Sequence, residues 1–132
     1  MAHDDVAHLR ELMARRWERL AALDVVEAAE DIVRSHRRNQ LLADLARAVR
    51  VHIGAEDDLT AALAAGNLVL VMAAEQRLCT ARLQREAVAV VYTVTDDAYE
   101  QAGRHYQAVR ATLRHSIRQL QLALNRTSGE RH

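Results

Sequence analysis

Apolar residues recur at steps of three and four along most of this chain, the spacing of a helix with one buried face. Asp4 or Asp5 can cap a first helix running to about Ala22, with Val6, Leu9, Leu12, Met13, Trp17 and Leu20 on its inner side. Asp24-Val-Val-Glu27 is a capping-box pattern and predicts a new or restarted helix with Val25, Ala28, Ala29, Ile32 and Val33 inward. The polar run "SHRRNQ" at 35–40 interrupts the pattern. A continuous helix would bury His36 and Asn39, so the run predicts either a buried polar layer or, preferably, a break or kink. Leu42, Leu45, Ala46, Val49 and Ile53 resume the stripe. Gly54 and "AEDD" predict a turn, "LTAALAA" a short helix, and Gly66-Asn67 a helix end followed by a new start.

The stretch 68–94 reads two ways. "NLVLVM" and "AVAVVYTV" have the composition of buried strands around a crossover helix. Two parallel strands alone make a poor sheet, however, and no further strand candidates lie nearby. As a helix, Leu68, Met72, Cys79, Leu83, Ala87, Val90 and Val91 keep roughly one face, and helix is the reading adopted. The last segment is the most regular. Tyr99, Ala102, Tyr106, Val109, Leu113, Ile117, Leu120 and Leu124 predict a helix over 97–126, about 45 Å long at 1.5 Å per residue. Tyr92, Tyr99, Tyr106, Leu113 and Leu120 lie seven apart, which extends the stripe back through Thr95-Asp96-Asp97. Residues 126–132 read as a frayed tail.

Composition sharpens this picture. The chain has 132 residues, half of them apolar, with no Pro, no Phe, four Gly, one Trp and three Tyr. A single helical domain over 1–132 is expected, its core built from Ala, Leu and Val, whose small side chains let helices lie close. Cys79 is the sole cysteine, so no internal disulfide forms. The charged start "MAHDDVAHLRELM" is not a signal peptide, and the longest apolar run, 68–74, is too short to span a bilayer. Cytoplasmic synthesis is expected, with export lacking a signal peptide left open. Phosphate-binding loops, nucleophile elbows and paired cysteines are absent, and an enzyme is not expected.

Three constellations could carry function. His52 and Glu56 form H-x-x-x-E, which places both side chains on one helical face, as a carboxylate-bridged metal site requires. The segment "HIGAEDDL" resembles the second-helix motif of hemerythrin-like proteins, and that resemblance implies a di-iron centre inside four helices. The family's further ligands would fall at Gln76 and at Tyr92 with Asp96, so a solvated helix end is the preferred reading and no cofactor is expected.

The segment "AVVYTVTDDAYEQA", 89–102, resembles the C-terminal signature of helical-hairpin proteins exported by type VII (ESX) systems of actinobacteria. The resemblance implies that Tyr92 and Asp96 form a Y-x-x-x-D tag read by an export ATPase, with Ala98, Tyr99 and Ala102 as its extension. Such proteins turn their hairpin at Trp-x-Gly, whereas Trp17 here is followed by Glu-Arg.

The third constellation is basic. Residues 101–132 hold six Arg and one Glu, and Arg110, Arg114 and Arg118 lie four apart. A stripe of this kind can meet phosphates or an acidic protein. "SHRRNQLLADLARAV" is similar, with a two-residue insertion, to RNA-binding ANTAR-type helices, but no base-reading motif accompanies it. A solvated face is the preferred reading.

Together these features predict an all-α bundle of four to five helices, with long antiparallel helices (67–94 against 97–126) in the C-terminal half. So little aromatic bulk calls for a homodimer or a partner helix to complete the core. The expected role is a non-enzymatic interaction or regulatory protein, with export, metal binding and nucleic-acid or acidic-partner adaptation as its rivals.

Overall fold

The computed structural model describes residues 2–129, which form two α-helices and no strand. Helix α1 spans Ala2–Ala65 and helix α2 spans Leu68–Gly129. The fold is a two-helix hairpin, and the expected bundle of four to five helices is corrected accordingly. The segments 67–94 and 97–126, expected to pair with each other, are consecutive parts of α2, and both pack on α1. Helix α2 also continues past the expected frayed boundary at 126 as far as Gly129; 130–132 lie outside the described residues.

The turn falls where Gly66-Asn67 predicts it. Gly66 has φ +67°, in the left-handed region that favours glycine, and its N–H donates to Leu63 O at 3.1 Å. Asn67 Oδ1 accepts from the N–H groups of Val69 at 3.1 Å and Leu70 at 3.3 Å, satisfying two free donors at the start of α2.

The other expected breaks do not form. Residues 35–40 are helical and all exposed, so they neither break α1 nor make a buried polar layer. A helix with one neighbour needs only a narrow inner stripe, and the rest of its circumference can be polar. Gly54 is also helical, with open space where a side chain would stand. Asp97-Ala-Tyr-Glu100 has the same capping-box pattern as Asp24-Val-Val-Glu27, and both lie inside helices and cap nothing.

The chain forms two compact units. One contains the residues up to Ile32 and those from Glu100 onward; the other is Val33–Tyr99. In each, α1 and α2 run antiparallel with inner positions seven apart, the repeat of coiled-coil packing. In the first unit this stripe carries Val6, Met13, Leu20 and Glu27 on α1, against Tyr106, Leu113, Ile117, Leu120 and Leu124 on α2. Val6, Leu20, Ile117 and Leu124 are buried there. In the second unit the buried apolar residues are Leu41, Ala55, Ala62, Ala74 and Ala81, so short side chains fill most of that core.

Several apolar positions are therefore not where the periodicity predicts: Trp17, Leu42, Ala46 and Ile53 of α1, expected inward, are exposed. Val25, Ile32 and Val33 point outward, while Glu27, Glu30 and Arg34 take the inner stripe of α1. On α2, Leu68, Met72, Leu83, Val90 and Val91 are exposed, as are Cys79 and Ala87; Val71, Ala74, Leu78, Ala81, Val88 and Ala89 face α1 instead. The tyrosine stripe holds its expected side, with Tyr92, Tyr99 and Tyr106 half-buried. Among the described residues, no helix is long and apolar enough to cross a membrane.

Candidate interaction surface

In the Val33–Tyr99 unit, α2 carries two periodic seams. One is the inner stripe just described. The other runs along the outer side through Val69, Ala73, Gln76, Thr80, Leu83, Ala87, Val90 and Val94, again at steps of three and four, with Ala73, Gln76 and Thr80 bordering a groove shared with Val51, Gly54, Ala55 and Asp58 of α1. Inner positions repeat at Val71, Leu78 and Tyr92; the second seam is displaced from them by roughly half a turn. Its large members stand well into solvent: Val69 is 76% exposed, Leu83 61%, Val90 61% and Val94 63%. Leu70, Met72 and Val91 flank it and are also exposed. Singly exposed apolar residues are ordinary; here they recur in a periodic row along one side of α2.

The same unit holds the one buried polar residue among those described, His52, at 8% exposure. Its Nδ1 lies 3.0 Å from Arg85 Nη1. A guanidinium has no acceptor, so Nδ1 accepts and the ring proton sits on Nε2. Nε2 is 3.1 Å from Glu56 Oε1 but lacks hydrogen-bond geometry toward it and has no other partner. His52 and Glu56 thus share a face, as their spacing predicts. Among the described residues, no third His, Cys, Asp or Glu converges on them. The neighbouring group is the Arg85 cation, which repels a metal ion rather than coordinating one.

The tyrosine-acid motif lies on α2's inner side. Tyr92 is half-buried, and the Asp96 carboxylate pairs with Arg38 of α1 at 2.7 Å. The Tyr99 ring lies beneath the Arg34 guanidinium, 5.9 Å from ring centre to Arg34 Cζ. Ala98 is exposed, away from both. Ala102 belongs to the other unit, where it is half-buried.

The basic face divides. Arg110 turns inward to Asp24 and Glu27 of α1, and those hydrogen bonds, Glu27's first and Asp24's second, raise its pKa above the ordinary guanidinium value. Arg114 and Arg118 are exposed. In the same unit the Tyr106 hydroxyl donates to Glu30 Oε2, and Arg16 Nε donates to Ser116 Oγ at 3.0 Å. The periodicity of apolar residues did not signal the roles of Asp24, Glu27, Glu30, Arg38 and Arg85. Their signal was their place on or beside a seven-residue stripe otherwise occupied by Leu, Ala and Tyr.

Comparison with protein-family models, curated proteins and solved structures finds no match to this chain.

Proposed function

We propose that this chain is a non-enzymatic helical interaction protein that works through apolar helix faces left uncovered by its own hairpin. The observation that carries this reading is the outward seam of α2 from Val69 to Val94. Its spacing matches that of the inner stripe, yet among the described residues its large members Val69, Leu83, Val90 and Val94 stay exposed, and only Ala73 is half-buried beside α1. Burying apolar surface yields roughly 25 cal/mol per Å2, so a row of exposed Val and Leu is a strong drive toward association. The mixed inner stripe adds support. Ion pairs at Arg38–Asp96 and Arg110–Glu27 tie the helices together and leave α2's second face free to bind.

The test is the native mass of the chain, measured both in an extract of cells that express it and after purification. The expected result is a species larger than one chain in at least one of the two, reduced by the outward substitution Leu83→Gln. A single-chain mass in both settings overturns the reading.

A further inference from the structure

The outward seam also constrains what covers it. We infer that the Val33–Tyr99 unit self-associates by laying α2 against α2 of a second copy, antiparallel, about a two-fold axis between Ala81 and Arg82. This rests on the interaction reading above and narrows it to one partner.

Side-chain sizes along the seam match layer by layer only in an antiparallel pairing. Residues 69, 73, 76, 80, 83, 87, 90 and 94 are spaced symmetrically about the centre of the row. Antiparallel pairing about that centre sets Val69 against Val94 of the second copy, Ala73 against Val90, Gln76 against Ala87, and Thr80 against Leu83. The three inner layers each join a small side chain to a larger one, the alternation that lets facing helices interdigitate. Parallel pairing in register would set Ala73, Thr80 and Ala87 each against its own copy, leaving gaps, and would stack two Gln76 side chains. The flanks suit the antiparallel arrangement as well. Leu70 meets Val91 of the second copy, Arg77 meets Gln84, and Cys79 meets Glu86, so no like charges oppose. An arrangement in which each copy presents the same patch closes on itself as a dimer.

The available area is of the right scale. Val69, Leu70, Met72, Leu83, Val90, Val91 and Val94 are between 45% and 76% exposed. Together they present on the order of several hundred Å2 of accessible surface per copy, against roughly 800 Å2 per partner in a stable interface. Ala73, Gln76, Thr80 and Ala87 extend the same strip. Val51, Gly54, Ala55 and Asp58 of α1 border Ala73, Gln76 and Thr80 along one edge of the strip, while Val69, Leu83, Val90 and Val94 remain exposed.

The test uses the full chain with Cys79→Ser as background and two single-thiol variants, Val69→Cys and Val94→Cys. A short bismaleimide should link an equimolar mixture of the two into a heterodimer. Val69→Cys alone should not link, because its two thiols would stand about 37 Å apart at 1.5 Å per residue. The purified wild-type chain should have twice the single-chain mass. Leu83→Gln with Val90→Gln should weaken dimerisation on the order of 100-fold or more while leaving the helical circular dichroism unchanged at high concentration.

Efficient linking of Val69→Cys to itself overturns the antiparallel arrangement. A dimer whose mass and affinity survive the double substitution overturns the seam. A purified chain that is monomeric, yet forms a larger species in extract that Leu83→Gln removes, overturns self-association and leaves the interaction reading standing. A single-chain mass in both settings overturns both.

Discussion

Arg110 of α2 bridges two carboxylates of α1. Its guanidinium donates to Glu27 Oε2 and, through Nη2 at 2.8 Å and Nε at 3.1 Å, to Asp24 Oδ1. The Arg110 and Glu27 side chains are both largely covered, whereas Asp24 remains more open to water. Arg110→Met should therefore lower the thermal midpoint, and Glu27→Gln should lower it as well. The double variant should lose less than the two losses combined, because each single change already breaks the shared contact. Strict additivity would show that the two residues act independently. Hydrogen bonds that raise a base above its ordinary pKa contribute fully below that ordinary value and are lost only as pH rises through the raised one. Titrating Arg110 thus leaves stability flat between pH 7 and 10.

His52 is buried with one ring nitrogen unsatisfied, a state that costs about 1–3 kcal/mol for a polar group. His52→Leu keeps most of the volume and removes that penalty, while the exposed Arg85 it releases can turn to water. Urea denaturation should show His52→Leu as stable as the wild type or more so, by about 1 kcal/mol. His52→Ala should be less stable by about 1–3 kcal/mol through the cavity it leaves. A large loss in the Leu variant would mean that the imidazole holds something beyond Arg85. Elemental analysis of protein purified without chelator is the companion measurement, with less than about a tenth of an iron or zinc per chain expected.

Gly54 and Gly103 sit inside helices with nothing near the position a Cβ would occupy. Glycine in a helix interior costs about 0.5–1 kcal/mol relative to alanine. Gly54→Ala and Gly103→Ala should each raise stability by that amount in chemical denaturation. A loss at either position would indicate that another chain packs there.

The turn should respond in the opposite direction. Gly66→Ala places a Cβ at φ +67° and should cost about 1 kcal/mol. Asn67→Ala removes the side-chain acceptor used by Val69 and Leu70, and should cost about 0.5–2 kcal/mol. Helix content at low temperature should be nearly unchanged in both variants.

These positions also show what the sequence could and could not reveal. Helix was legible almost everywhere, because periods of three and four run through the chain and no proline interrupts them. Gly66-Asn67 was legible because two independent preferences, a left-handed glycine and an N-cap asparagine, fall side by side. The number of helices was not. "SHRRNQ", Gly54 and the two capping-box patterns resemble breaks when a broad buried face is assumed, yet a hairpin buries only a narrow stripe. Asp24 and Glu27 look like caps until a partner for Arg110 is needed. On 68–94 the composition displays two apolar faces. Periodicity alone cannot say which of them meets α1; the inner one is built largely from Ala74, Ala81 and Ala89, small enough for close approach.

The two-residue turn has a kinetic consequence. Contacts across the helices join residues ever more distant in sequence: His52 and Arg85 are 33 positions apart, Glu30 and Tyr106 are 76, and Arg16 and Ser116 are 100. Closing a loop costs more entropy the longer it is. Contacts beside Gly66-Asn67 therefore cost the least entropy to close, and structure should spread outward from that turn like a zip.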